Sequence, residues 1–285
     1  MGTNAFLFGG CDDQEPAGPT DELFLLRMAS AEFQWSRPRA NGGPPGARWR
    51  HTATVFDKTK ICIFGGFFNS ACRYNDVWIF DTITMSWEQP IPPQSTFTEE
   101  GNHTVVRGGQ KDTPAPRGAH TASRIGNQLY VFGGYGGTGY SRRDFNDLHA
   151  LDLDEFVWQK LTPKGNAPLP RSGHAAAVVN HLVYVFGGWN SSTQFKDLFI
   201  LDTETMTWSE AESGWADPRW NLTVCSVEAI PNWKVFVFGG VSGDLSASKR
   251  VQGTFLDSID VLDTGTNTWV QPEVSGEPPC ARSDT

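Results

Sequence analysis

The chain repeats one pattern five times, and this repetition constrains the fold more than any other feature. Phe-Gly-Gly follows a short apolar run in each copy, at Phe8, Phe64, Phe132, Phe186 and Phe238. A second apolar run then ends in Asp, and Trp follows six residues later at Asp81/Trp87, Asp152/Trp158, Asp202/Trp208 and Asp263/Trp269. In the first copy Arg27 replaces the Asp, and Trp35 follows after two extra residues. Such a period indicates similar units stacked on one another.

Each unit is predicted to hold four β-strands, a to d. Runs of β-branched and aromatic residues bounded by Gly or Asp are typical of buried strands. The Asp carboxylate is expected to cap the amides of the turn between strands c and d. The Trp of strand d is too large to be covered by its own hairpin. Units of this kind must cover one another, which predicts an all-β propeller of five or six blades.

A further motif, Arg-x-x-His, precedes strand a. It occurs at Arg48/His51, Arg117/His120 and Arg171/His174, and it is degraded to Arg219/Leu222 and Arg282/Thr285. The three histidines are equivalent positions of different repeats, so we interpret them as structural residues beside strand b rather than as a metal site. We predict neither a metal nor another cofactor.

Composition narrows the class of protein. With 30 Gly and 18 Pro in 285 residues, the chain suits many short strands and tight turns. A net charge of −9 argues against non-specific nucleic-acid binding. No apolar run is long enough to cross a membrane, and no secretory signal is visible. Five cysteines without a CxxC spacing favour a reduced protein of the cytoplasm, with the nucleus as an alternative.

The combined motifs resemble the kelch-repeat family. The best single match runs from Pro116-Arg117-Gly118-Ala119-His120 through Phe132-Gly133-Gly134 and Asn146-Asp147 to Asp152 and Trp158. The resemblance implies a kelch β-propeller of four-stranded antiparallel blades. It also suggests the kelch module of a larger protein, such as a kelch-containing serine/threonine phosphatase, where the propeller recruits substrate or restrains an attached domain.

We expect one propeller domain over residues 1–285. Its repeats are placed at about 1–40, 41–92, 114–163, 164–213, 214–274 and a partial 275–285, with a loop insertion at 91–114. The chain opens at a strand b and closes at the lead-in to a strand a. Two interpretations remain open: the last segment completes the first blade, or the chain is cut from a longer one.

In this topology the b–c and d–a connections emerge on one face, which also carries the long, dissimilar loops and many basic residues. Rigid scaffolds tend to carry binding residues on such loops. We predict that this face binds an acidic or phosphorylated protein segment. The domain is expected to be monomeric and non-enzymatic, and to bind neither nucleic acid nor a membrane. The candidate residues are Arg48, Arg73, Arg117, Tyr140, Arg142, Arg143, Arg171, Trp189, Arg219 and Arg282.

Two alternatives stand beside this prediction. The repeated arginines could instead pair with the equivalent acids Asp76, Asp147 and Asp197 and hold the blades together. Alternatively, the channel mouth could serve a small-molecule or carbohydrate enzyme, such as a metal-dependent oxidase or a sialate-type enzyme. Against the second, we find no convincing ligand set or nucleophile arrangement in the sequence.

Overall fold

A computed structural model describes residues 4–12, 18–29, 32–91, 93–94, 107–108, 110–137, 141–211, 217–243, 253–277 and 279–283. Within these ranges the regular structure is β-strand, and no α-helix is present. The prediction of an all-β chain is confirmed.

The described residues of the first two repeats and of the insertion that follows form eleven strands. They are β1 (Asn4–Phe8), β2 (Cys11–Asp12), β3 (Gly18–Pro19), β4 (Leu23–Ala29), β5 (Glu32–Ser36), β6 (Thr52–Phe56), β7 (Lys60–Phe64), β8 (Val77–Asp81), β9 (Ser86–Glu88), β10 (Pro93–Gln94) and β11 (Arg107–Gly108).

The remaining strands follow the same plan through the third, fourth and fifth repeats. They are β12 (Arg117–Gly118), β13 (Thr121–Ile125), β14 (Gln128–Phe132), β15 (Tyr135–Gly136), β16 (Arg143–Asp144), β17 (Leu148–Asp152), β18 (Trp158–Leu161), β19 (Ala175–Val179), β20 (Leu182–Phe186), β21 (Trp189–Asn190), β22 (Thr193–Gln194), β23 (Leu198–Asp202), β24 (Thr207–Ala211), β25 (Thr223–Val227), β26 (Lys234–Phe238), β27 (Val241–Ser242), β28 (Thr254–Phe255), β29 (Ile259–Asp263) and β30 (Thr268–Val270).

The longer strands form five sheets, numbered here by repeat. Sheet 1 has the order β1-β4-β5, and sheets 2 to 5 have the orders β6-β7-β8-β9, β13-β14-β17-β18, β19-β20-β23-β24 and β25-β26-β29-β30. The pairings with a described register are antiparallel, as between β20 and β23 or β8 and β9. Four sheets therefore have the predicted a-b-c-d order of four antiparallel strands.

The chain divides into two compact units. The first comprises Met1–Gly118, Gly136–Arg143 and Asp152–Gln159, and the second comprises Ala119–Tyr135, Asp144–Leu151 and Lys160–Thr285. That residues 1–285 form a single domain stays a prediction. Each unit has its own apolar core between successive sheets, around Phe80 in the first and around Val185 and Val237 in the second.

In the first four repeats, the Phe-Gly-Gly phenylalanine packs against the Trp of the next repeat. The ring centroids are 4.9 Å apart for Phe8–Trp87, 4.9 Å for Phe64–Trp158, 5.1 Å for Phe132–Trp208 and 5.7 Å for Phe186–Trp269. Trp87, Trp158 and Trp208 are buried by this packing. The prediction that the Trp is covered from outside its own hairpin is confirmed at these positions.

The Asp at the end of strand c caps the next turn, as predicted. Asp81 Oδ1 accepts hydrogen bonds from the backbone amides of Ile83 and Thr84 at 2.8 and 2.9 Å. Asp202 Oδ1 does the same for Glu204 and Thr205 at 2.9 and 3.0 Å. These amide contacts lower the pKa of both carboxyls.

The end of strand b has no room for a side chain, and the glycine pair meets this requirement. Gly133 has φ +64°, and a Cβ there would lie 2.7 Å from His174 Cε1 and 2.9 Å from the Arg171 carbonyl oxygen. A side chain at this position would separate the third repeat from the fourth. Glycine is therefore required by both the backbone conformation and the close approach.

Candidate functional site

The arginine that precedes each strand a, here called the pre-strand arginine, is fixed through its backbone to the preceding repeat. Its carbonyl accepts from the second glycine of that repeat, at 2.8–3.0 Å in Gly10–Arg48, Gly66–Arg117, Gly134–Arg171, Gly188–Arg219 and Gly240–Arg282. Its amide donates to a carbonyl of the preceding b–c segment, such as Thr20 for Arg48 and Phe195 for Arg219. The start of each strand a and the preceding b–c segment thus lie together.

The Arg48 side chain is fully buried and completely engaged within the second repeat. Its Nη1 and Nη2 donate to Asp76 Oδ1 and Oδ2 at 2.7 and 2.9 Å, and Nη1 also donates to the Gly65 carbonyl at 3.0 Å. Nε donates to the Gly46 carbonyl, and the guanidinium carbon lies 4.1 Å from the Tyr74 ring centroid. A bidentate pair of this kind holds strand a against the start of strand c.

Arg171 repeats the arrangement in the fourth repeat. It is also fully buried, and it donates to Asp197 Oδ1 and Oδ2 at 2.5 and 2.8 Å and to the Gly187 carbonyl at 2.9 Å. Its guanidinium carbon lies 4.1 Å from the Phe195 ring centroid. Arg117 is equally buried, and its Nε donates to the Ala115 carbonyl at 3.0 Å.

The last repeats depart from this geometry. Ser258 takes the place of Asp197, and Arg219 Nη1 donates to its hydroxyl at 3.3 Å, while Nη2 lies 3.0 Å from Asp260 Oδ2. Burial lowers the pKa of Arg219, and the Asp260 charge opposes that shift. Arg282 is exposed, and its Nε donates to the Cys280 carbonyl at 3.0 Å.

The structural alternative is therefore confirmed for the pairs Arg48–Asp76 and Arg171–Asp197. Whether the pre-strand arginines also contact a partner is not tested by these bonds and stays a prediction. Among the loop candidates, Arg73 is buried, Arg142 and Trp189 are half-buried, and Arg143 is exposed. Tyr140 lies outside the described residues.

In the first unit, an aromatic and basic group surrounds the start of strand a of the second repeat. The rings of Trp49 and Phe67 meet edge-on at 5.6 Å, and their backbones bond to each other in both directions. The Arg50 guanidinium lies 4.9 Å from the Trp49 ring centroid, and that of Arg73 lies 5.4 Å from the Phe67 ring centroid. Phe68, the next residue, is exposed.

In the second unit, a tryptophan pair joins the fourth repeat to the fifth: Trp189 follows a glycine pair, and Trp220 follows a pre-strand arginine. Trp189 and Trp220 stack with centroids 5.0 Å apart and planes inclined by 30°. Both rings are half-buried, and Lys196 is exposed in the same b–c segment as Trp189. Indole faces of this kind offer large apolar area at low entropic cost to a bound segment.

Sequence reasoning missed Trp49, Arg50 and Trp220. The residue after the pre-strand arginine forms a backbone bridge to the residue after the glycine pair in Trp49–Phe67, Ser172–Trp189 and Trp220–Val241. These residues could have been found from their position between the Arg and the His of the Arg-x-x-His motif. The two variable residues of that motif face the same end as the b–c segments and vary between repeats.

The motif histidines are structural where the geometry is described. His174 Nε2 lies 3.0 Å from Thr121 Oγ1, and its ring meets Phe132 edge-on at 5.4 Å. Burial, then the positive charge of Arg171, lowers its pKa to about 3. Burial and Arg48 lower the pKa of His51 to about 4. Across the described part of the chain, no three His, Cys, Asp or Glu side chains are grouped to hold a metal ion.

A membrane span is likewise not found: in the described ranges no helix has the length and apolar character to cross a bilayer.

Comparison with known proteins gives matches along the whole chain. A family model described as the KLHDC2/KLHL20/DRC7 Kelch-repeats domain matches residues 1–111 and 107–285. The dynein alpha chain of the flagellar outer arm of Chlamydomonas reinhardtii is 32% identical over 303 residues, covering 100% of this chain and 6% of the dynein chain. Acyl-CoA-binding domain-containing protein 5 of Arabidopsis thaliana is 29% identical over 282 residues, covering 83% of this chain and 41% of that protein. Host cell factor 1 of Homo sapiens is 30% identical over 237 residues, covering 72% of this chain and 11% of that protein. The chain thus spans less than half of the length of each of these relatives.

Proposed function

Because the chain belongs to the kelch-repeat family, we propose that it is a non-enzymatic protein-interaction module for an acidic or phosphorylated segment of a partner. Its fold is the all-β kelch β-propeller class with four-stranded antiparallel blades. Kelch domains generally mediate protein–protein interaction. The proposed contact lies where the b–c segments meet the starts of strands a.

The supporting observation is the concentration of guanidinium groups against aromatic rings in a chain of net charge −9. In the second repeat Arg48, Arg50 and Arg73 lie at one end of the sheet, and both oxygens of Asp76 are bonded to Arg48. Positive charge beside apolar ring faces suits a carboxylate or phosphate together with the side chains that flank it.

The pre-strand arginines and the loop residues have different parts in this proposal. Arg48, Arg117, Arg171 and Arg219 hold the rigid frame of the proposed surface, with the charges of Arg48 and Arg171 offset by Asp76 and Asp197. Exposed or half-buried loop residues, such as Arg143, Arg142 and Trp189, make direct contact. Arg73 of the first unit and Arg282 of the second unit are further proposed contacts, and Tyr140 is a proposed contact outside the described residues.

Binding at this face would recruit substrate to an attached domain or regulate it, with no cofactor. We place the protein in the cytoplasm or the nucleus. Five cysteines without a CxxC spacing favour a reducing compartment.

Fluorescence anisotropy with a labelled peptide carrying two phosphoserines among glutamates tests the proposal. Arg143→Glu and Trp189→Ala should each weaken binding at least tenfold, an effect of about 1.4 kcal/mol or more. Arg143→Glu should leave the melting temperature close to that of the wild type, because Arg143 is exposed. Trp189→Ala should lower it slightly, because the stacking on Trp220 is lost.

Arg124→Glu is the matched control. Arg124 is an exposed arginine near the a–b turn, and its Nε donates to the Gly126 carbonyl at 2.8 Å. It should leave peptide affinity unchanged. Equal losses for Arg124→Glu and Arg143→Glu would show that net charge, rather than this face, governs binding.

A further inference from the structure

The sequence holds two threonines that are followed directly by proline, Thr113 and Thr162, and no serine that is. Both lie in d–a connections, Thr113 at the end of the insertion and Thr162 directly after β18. Threonine followed by proline is the dipeptide that proline-directed protein kinases phosphorylate, so the sequence alone does not distinguish the two. Their surroundings in the structure do.

Thr113 is half-buried and bonded within its own turn. Its Oγ1 donates to the Gln110 carbonyl at 2.8 Å, and its amide donates to the same oxygen at 3.4 Å. Pro114, which a kinase of this class must also bind, is buried, and its carbonyl accepts from Asn75 Nδ2 at 2.9 Å. A kinase could therefore reach Thr113 only after this turn had opened.

The side chain of Gln110 fixes that turn to the third repeat. Its Nε2 donates to the Phe156 carbonyl at 2.9 Å, and its Oε1 accepts from the Trp158 amide at 3.2 Å. In the fourth repeat the backbone of Lys164 makes two bonds to the equivalent residues around the start of strand d, each at 2.8 Å. The Gln110 amide thus takes the place of a peptide group and binds the end of the insertion to strand d.

Thr162 is exposed, and among the described residues its hydroxyl has no hydrogen-bond partner. It follows the edge strand β18 of sheet 3 in a segment without regular structure, and Pro163 is half-buried rather than buried. Lys160 and Lys164, two residues before and after it, are both exposed. Their ammonium groups can pair with an added phosphate, which carries about −1.5 to −2 charge at neutral pH.

We propose that Thr162 is a phosphorylation site for a proline-directed protein kinase, and that the fold protects Thr113 from the same enzyme. In the transfer, Thr162 Oγ1 forms a bond to the γ-phosphorus of ATP while the bond from that phosphorus to the β,γ-bridging oxygen breaks. ADP leaves, and the hydroxyl proton passes to a carboxylate base of the kinase. The product carries a phosphate at the start of a d–a connection, with a lysine on either side in the sequence.

Treatment of the folded chain with a purified proline-directed kinase and ATP, followed by phosphopeptide mass spectrometry, tests the proposal. Phosphate should accumulate on Thr162 about tenfold faster than on Thr113, or more, because Thr113 is accessible only when its turn opens. Thr162→Ala should remove most of the incorporated phosphate. Thr113→Ala is the matched control and should leave the incorporation unchanged. Equal phosphorylation of both threonines, or modification of Thr113 alone, would overturn the proposal.

Two further measurements separate the effect of the fold from that of the sequence. A synthetic peptide of residues 158–168 should be phosphorylated by the same kinase, and a folded chain left unmodified under conditions that modify this peptide would also overturn the proposal. Gln110→Ala should raise the rate at Thr113 toward that at Thr162, because the turn is no longer bound to strand d. An unchanged rate at Thr113 in this variant would contradict the protection by the Gln110 amide.

Discussion

The fourth and fifth repeats hold the pre-strand arginine with different side-chain partners. In the fourth, Arg171 forms a bidentate pair with Asp197, and His174 follows within the motif. In the fifth, Arg219 divides its bonds between Ser258 and Asp260, and Leu222 replaces the histidine. Yet both arginines keep the same backbone bonds to the preceding repeat. The backbone connection thus defines the repeat, while the side-chain pair beneath it can vary.

The largest expected effect comes from breaking the regular pair. Asp197→Ala leaves the fully buried Arg171 without its carboxylate, which should lower the free energy of unfolding by about 3–5 kcal/mol. Chemical denaturation followed by circular dichroism measures this loss. A loss below about 1 kcal/mol would show that the Gly187 and Leu169 carbonyls suffice for Arg171.

The motif histidine should make the fourth repeat sensitive to acid. The folded pKa of His174 is about 3, and the unfolded value is near 6.5, so protons bind the unfolded state preferentially between these values. Stability is therefore fully present above about pH 6.5 and falls as the pH drops toward 3, by up to about 1.4 kcal/mol per pH unit. His174→Leu introduces the residue found at the equivalent position, Leu222. It should reduce the dependence of the unfolding free energy on pH by the equivalent of about one proton. Denaturation curves between pH 4.5 and 6 measure it, and an unchanged slope would contradict the assignment.

A smaller effect is expected for Ser258→Ala, at the position that corresponds to Asp197. It removes one hydrogen bond to Arg219 and leaves the Asp260 contact, so the loss should be about 0.5–1.5 kcal/mol. The same denaturation assay applies. A loss equal to that of Asp197→Ala would remove the distinction between the two repeats.

The smallest effects should come from the exposed turns. Asp202 caps two amides, whereas Asp263 caps the Gly265 amide at 2.9 Å and pairs with Lys234. Asp263→Ala should therefore lower the melting temperature less in 1 M salt than in dilute buffer, because salt screens the ion pair. Alanine at Asp202 should show the weaker salt dependence. Thermal melts at the two salt concentrations make the comparison.

Much of this fold could be predicted from local pattern, because its requirements are local. The glycine pair ending strand b, the Asp that caps the c–d turn and the Trp covered by Phe-Gly-Gly are each set by neighbouring residues. The burial of Arg48 and Arg171 could not be decided in the same way. It depends on the Gly65 and Gly187 carbonyls, which become acceptors only when strand b ends beside strand a.

Parts of the candidate site also lay beyond sequence reasoning. The pairing of Arg219 with Asp260, in place of the acid that is missing at Ser258, could have been predicted, because residues two apart lie on the same side of a strand. The stacking of Trp189 on Trp220 had none, because it joins loops of different repeats. The exposure of Trp35 depends on which sheet covers which, and the spacing of the motifs does not contain that information.

The indole N–H signals in a ¹⁵N–¹H NMR spectrum test the proposed binding face most directly. Titration with the phosphoserine peptide should shift the signals of Trp49, Trp189 and Trp220, while those of the buried Trp87, Trp158 and Trp208 stay in place. Shifts confined to the buried tryptophans, or no shift at a peptide concentration that saturates anisotropy, would contradict the account.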